Sequence, residues 1–163
     1  MNREILFKAK RKDNGEWVEG YYIYHIKRTI CPLGDSVKSE DEQHVIMQDS
    51  FSDWNMPRDT VVYEINPDTI CQYTGLTDKN GQKIWENDIV SNEWCFSRGK
   101  SIVKFGEYKD YHMPERYQCG NYGFFLEHMH QNDFGVRKDI LYFSCKCEVV
   151  GNIFDDADLL EVE

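Results

Sequence analysis

Four side chains near the C-terminal end, His128, His130, Cys145 and Cys147, are of the types that hold zinc. Two imidazoles with two thiolates would complete a tetrahedral set. Within each pair the residues are two apart, so on a β-strand both members point to one face. In a hairpin centred between Arg137 and Lys138, His128 falls opposite Cys147 and His130 opposite Cys145, with cross-strand neighbours ~4.5–5.5 Å apart. That register is assumed. The plainer alternative makes the thiols small core residues continuing the stripe of Leu141 and Phe143, and it is preferred; no metal ligand is assigned and no cofactor is expected.

Carboxylates offer a second chemistry. Glu86 and Asp88 lie two apart on a would-be strand and could act together on a substrate or hold a cation. The same holds for Asp78, within Asp78-Lys79-Asn80-Gly81. Beside a hairpin, however, such residues far more often accept hydrogen bonds from the turn. Gly75 and Gly81 are separated by one residue too many for a phosphate-binding loop, and Gln82 stands where its lysine belongs. The sequence contains no H-E-x-x-H, G-x-S-x-G or G-x-G-x-x-G. No catalytic residue is assigned.

Charge narrows the partners. Acidic residues outnumber basic ones 29 to 19, for a net charge of -10, so a phosphate backbone is on average repelled. The one basic run, Lys8-Ala9-Lys10-Arg11-Lys12, alternates faces on a strand and reads as a solvated edge rather than a phosphate grip. The six cysteines, at 31, 71, 95, 119, 145 and 147, lack the paired C-x2-C of structural zinc sites. The N-terminus reaches Lys8 after three apolar residues, short of the ~7–15 of a signal peptide. No apolar run approaches the ~18 residues of a membrane span. A cytoplasmic protein with free thiols and no membrane partner is expected.

The elements that must position these residues are strands. Aromatics make up 14% of the chain and are spread along it, which suits pleated, half-buried surfaces. Residues 4–9 and 16–24 flank Asn14-Gly15 and form a hairpin. Residues 31–44 form a polar surface loop, Val45–Met47 and Val61–Ile65 short strands, and Asn66-Pro67 a break. The division into lobes is placed there, as 1–68 and 69–163. A second Asn-Gly turn, at Asn80-Gly81, precedes a strand over Lys83–Val90. Ser101–Phe105 is a strand ended by Gly106, and 107–120 an exposed connection. Tyr122–His130 and Ile140–Val150 are the longest strands, with Tyr122, Phe124, Leu126, His128 and His130 of one and Leu141, Phe143, Cys145, Cys147 and Val149 of the other pointing at the core. Asp155 caps a short helical turn reaching Leu160.

The run from Cys71 to Val90, with Thr74-Gly75-Leu76-Thr77-Asp78-Lys79-Asn80-Gly81 and Ile84-Trp85-Glu86-Asn87-Asp88-Ile89-Val90, resembles the hallmark of the YopX proteins. The tail Glu148-Val149-Val150-Gly151-Asn152-Ile153-Phe154 to Leu160 is similar to that family's closing motif, and Phe7-Lys8-Ala9 with Trp17-Val18-Glu19-Gly20-Tyr21-Tyr22 to its opening. Asn87 departs from the glycine common at that place, and asparagine is the next best residue for a left-handed backbone. The resemblance implies a phage or prophage origin and a mainly β fold, with an N-terminal antiparallel meander, a small SH3-like barrel in the C-terminal half and a short C-terminal helical turn. It brings no established activity and no catalytic residues.

Three functions are expected in descending order. The first is a noncatalytic accessory protein that binds and forms a homo-oligomer, since small β lobes bury edges and apolar patches against copies of themselves. The second is a nucleic-acid binding module, with Tyr108, Tyr111 and Tyr117 stacking on bases. The third is an enzyme of unrecognised class.

Overall fold

A computed structural model describes residues 4–29, 36–92, 99–109, 120–132, 135–141 and 146–160. The chain divides into two compact units, Met1–Gln72 and Tyr73–Glu163. Both are mainly β, and the strands pair antiparallel throughout.

Unit 1 is a meander in which each strand pairs with the next in sequence: β1 (Phe7–Lys10), β2 (Trp17–Ile26), β3 (Glu42–Asp49) and β4 (Thr60–Glu64). The β1–β2 hairpin turns through Asn14-Gly15 with Phe7 opposite Gly20. Alternation along these strands sends Ala9, Val18, Ile46 and Ile65 into one core, with Phe7, Tyr22, Tyr63 and Ile70 packed against it. An isolated bridge between Arg11 and Ile65 joins the end of β1 to the end of β4. The Asn66-Pro67 break becomes a 3-10 turn, Pro67–Thr69, with Asn66 as its cap. Its Thr69 hydroxyl accepts the Lys10 N–H at 2.9 Å, which ties the turn to β1.

Gly20 is required by close approach. A Cβ there would stand on the carbonyl oxygen of Met47 and 2.9 Å from Ile46 Cγ2. Because the obstacle is backbone of the adjacent strand, Gly20→Ala is expected to destabilise the protein by roughly 2 kcal/mol. Urea unfolding measures this, and an unchanged midpoint would contradict the packing described.

Strand β5 (Cys71–Thr77) begins in unit 1, where Cys71 and Gln72 pair with β1. In unit 2 the rest of it pairs with β6 (Lys83–Trp85). The other strands of unit 2 are β7 (Asp88–Asn92), β8 (Gly99–Lys109), β9 (Gly120–Asn132), β10 (Gly135–Ile140) and β11 (Cys147–Asn152), in the order β10-β9-β8-β7-β11. Ile84, Val90, Val103, Leu126, Leu141 and Cys147 form the core. No pairing among the described residues joins β10 to β11, so the sheet is open where a closed SH3-like barrel was expected. A 3-10 turn follows at Ala157–Leu160.

Several expected elements are corrected. The strand expected over Ile140–Val150 is two strands, with buried Leu141 beyond the end of β10 and β11 starting only at Cys147. The strand expected over Lys83–Val90 breaks at Glu86-Asn87, where Asn87 takes φ 65°. Gly106 does not end β8: it sits within the strand opposite Gly123, and pairing continues to Lys109. Tyr108, expected in an exposed connection, is buried. Tyr122, expected in the core, is 77% exposed and lies opposite Glu107 on β8, outside the core cluster.

Candidate functional site

Asp78 opens the Asn80-Gly81 turn between β5 and β6 and is buried. Its Oδ1 accepts the N–H groups of Asn80 at 2.8 Å and Gln82 at 2.9 Å. Its Oδ2 accepts the N–H of Val149 at 3.1 Å, on β11. Gly81, at φ 82°, supplies the left-handed step that closes the turn. Lys79 adds a backbone bond to Cys147 O at 3.0 Å and an ion pair to Glu148 at 2.6 Å. The hallmark turn is thus fastened to the tail strand, although the two are some seventy residues apart in sequence.

Desolvation pushes the Asp78 pKa up, but the three backbone N–H donors, Val149, Gln82 and Asn80, outweigh it, with Lys79 helping. The net position lies below the usual 3.8. A carboxylate with a depressed folded-state pKa stabilises the protein fully above its unfolded value and loses that contribution as pH falls through the folded value. The stability advantage of the wild type over Asp78→Asn is therefore expected to be constant well above pH 3.8 and to shrink below it. Urea unfolding at stepped pH measures this; a gap that widens on acidification would contradict it.

Asp88 begins β7 and is 1% exposed. Its Oδ2 accepts the Trp85 N–H at 2.8 Å and its Oδ1 accepts the side-chain amide of Asn152 at 2.9 Å. Asn152 in turn receives the Phe154 N–H on its Oδ1 at 3.1 Å, and its own N–H donates to Asp156 at 3.0 Å. Between Trp85 and Asp88 the chain turns at Asn87, which donates to Val103 O at 2.7 Å and accepts from Ile153 N–H at 3.1 Å. Here too a hallmark carboxylate grips the closing motif.

Glu86 and Asp88 therefore do not share a strand face. Glu86 lies in the turn and Asp88 is enclosed.

The presumed zinc geometry fails on register. Strand β9 pairs with β10, not β11: Gly135 lies opposite Asn132, so the hairpin is not centred between Arg137 and Lys138. Cys147 faces Asn92 of β7, and His128 faces Ser101 of β8. Cys145 and the His130 side chain lie outside the described residues. Among the described residues no group of three or more His, Cys, Asp or Glu is placed to hold a metal ion. Cys71 and Cys147 are buried, and the Cys71 thiol donates to the Thr69 carbonyl at 3.4 Å.

A pair that spacing did not reveal is Ser101 and His128, whose hydroxyl and Nδ1 lie 2.8 Å apart. A nucleophile and base meet at this range. Ser101 is fully buried, however, so the pair satisfies two core polar groups on facing strands. Its only forewarning would have been the β8–β9 register.

The basic run is engaged within unit 1. The Lys8 and Lys10 ammonium groups lie 5.1 and 5.5 Å from the centroid of the Trp17 ring. Arg11 pairs with Asp13 and lies over Tyr63, and Lys12 bonds Glu64 at 2.8 Å. Of the tyrosines considered for base stacking, Tyr108 is buried against Phe125, and Tyr111 and Tyr117 lie outside the described residues. Among the described residues no helix is long and apolar enough to cross a membrane.

Fold and site define a two-unit antiparallel β protein whose two motifs are locked together by buried carboxylates. The model of the YopX protein family matches residues 6–161, nearly the whole chain, and the chain belongs to that family. No curated protein matches it.

Proposed function

We propose that this chain is a noncatalytic accessory protein of phage or prophage origin that acts in the host cytoplasm by binding, as a homo-oligomer. The observation that carries this reading is the apolar surface of unit 1. Phe51 and Trp54, in the β3–β4 loop, are 94% and 99% exposed, and Met56, Tyr21, Ile23, Tyr24 and Val62 are exposed as well. Side chains of this size gain stability once another surface covers them. The acidic motif residues support the same reading from the other side, since Asp78 and Asp88 hold the chain together.

Light scattering on a sizing column at micromolar concentration tests the oligomer. A mass at a multiple of the monomer is expected, and a clean monomer contradicts it.

A further inference from the structure

Unit 1 contains a strand edge that no described strand pairs, and the residues of this edge complement themselves. Strand β2 pairs with β3 over Tyr21–Ile26, but with β1 only up to Gly20, because β1 begins at Phe7. The bond from Lys27 N–H to Asp41 O, at 2.8 Å, fixes which groups face β3. In an antiparallel ladder they alternate, so Tyr21, Ile23 and His25 turn their backbone groups to β3. Tyr22, Tyr24 and Ile26 turn theirs to the side that β1 leaves uncovered. Among the described residues no strand pairs there. The edge carries no acidic residue, no lysine and no proline, the devices that usually blunt an exposed edge.

We infer that this edge is the dimer seam, occupied by the same edge of a second copy. The inference rests on the oligomeric reading above and names its contact. With the two-fold axis at Tyr24, antiparallel pairing sets Tyr24 beside Tyr24 and Tyr22 beside Ile26 of the second copy, each donating and accepting one backbone bond. On the other face Ile23 meets His25. Aromatic and aliphatic cross-strand pairs are favourable, whereas like charges directly opposed are not. Two chains of net charge -10 thus meet along a stretch without acidic side chains. The His25 ring, which bonds the Ile26 carbonyl at 3.0 Å, must swing aside.

Charge complementarity continues past the strand. The residue after Ile26 is exposed Lys27, which in this register falls beside Tyr21 of the second copy. At that place lies an open hollow of about 410 Å³ lined by Glu4, Ile5, Phe7, Tyr21 and Tyr22. Aromatic walls with one carboxylate suit a lysine, its stem on the rings and its ammonium toward Glu4. The edge of β4 is shorter, because the Glu64 carbonyl already takes the Lys12 N–H at 3.0 Å.

The test combines light scattering with amide hydrogen exchange. The wild type is expected to be a dimer, with the Tyr22, Tyr24 and Ile26 amides more protected at high protein concentration than at low. Tyr24→Pro removes an N–H that faces away from β3 and is expected to give a monomer with an unchanged circular dichroism spectrum. Lys27→Glu is expected to weaken the dimer roughly tenfold, and adding Glu4→Lys to restore it. Should Tyr24→Pro fail to fold, the exchange data on the wild type and the charge swap decide. A folded Tyr24→Pro that stays dimeric, or a dimer abolished by Phe51→Ser with Trp54→Ser but not by Tyr24→Pro, overturns the seam and leaves the oligomeric reading standing. Protection of Tyr24 at every concentration means that the edge is covered from within the chain, which overturns the seam as well. A monomeric wild type overturns both.

Discussion

Asp88→Ala is expected to lower the unfolding free energy by about 3–5 kcal/mol, because hydrogen bonds to a charged group contribute ~1.5–3 kcal/mol each and two are lost. The substitution leaves the Trp85 N–H and the Asn152 amide facing a cavity that water does not freely enter. Asn152 also orients Phe154 and bonds Asp156, so loss of its anchor loosens the whole tail motif. Domains commonly have only 5–15 kcal/mol in all, so the variant approaches the threshold of folding. A thermal midpoint lowered by about 10 °C is the corresponding reading in a scan. Asp88→Asn is expected to fall between, since its amide keeps one acceptor and sets a donor against another donor.

Asp78→Ala is the second large effect, at about 3 kcal/mol or more, since three backbone donors then lack their acceptor. Two of them, Asn80 and Gln82, lie at the turn and can turn toward water. The Val149 N–H belongs to β11 and is the costly one. The ion pair of Lys79 with Glu148 remains, but both side chains are partly exposed, and such pairs contribute only ~0–1 kcal/mol. Urea unfolding separates the cases. A loss below about 1 kcal/mol would place Asp78 among ordinary exposed turn residues.

Local chemistry was legible in the sequence. Asn14-Gly15 and Asn80-Gly81 mark turns in which Gly15 and Gly81 have positive φ, and Asn87, in place of glycine, has the left-handed backbone its position demanded. The strands expected at Val45–Met47 and Val61–Ile65 coincide with β3 and β4, although β3 already starts at Glu42, inside the stretch expected to be a loop. Pairing between distant strands was not legible. The segment from Ile140 to Val150 was read as one strand folded back on Tyr122–His130, because adjacent strands usually pair. Strand β11 instead pairs with β7, with Cys147 opposite Asn92. No local pattern distinguishes these outcomes, since both bury Cys147.

The roles of Asp78 and Asp88 were half legible. Turn chemistry predicted that Asp78 would accept N–H groups at the turn, as Asn80 and Gln82 show. That its second oxygen reaches Val149, and that Asp88 reaches Asn152, depends on long-range contacts invisible to spacing. Tyr108 shows the converse error. Gly106 suggested an end to the strand, but as a residue within it, Gly106 lets the strand continue to a tyrosine that packs 5.6 Å from the Phe125 ring.

Hallmark and tail are coupled through buried carboxylates. A double-mutant cycle of Asp88→Ala and Asn152→Ala, followed by urea unfolding, measures that coupling without reference to any ligand. A coupling energy of about 0.5–3 kcal/mol is expected, the range for groups in one hydrogen-bonded network. Losses that simply add, within about 0.5 kcal/mol, would show that the two residues act independently and would contradict it.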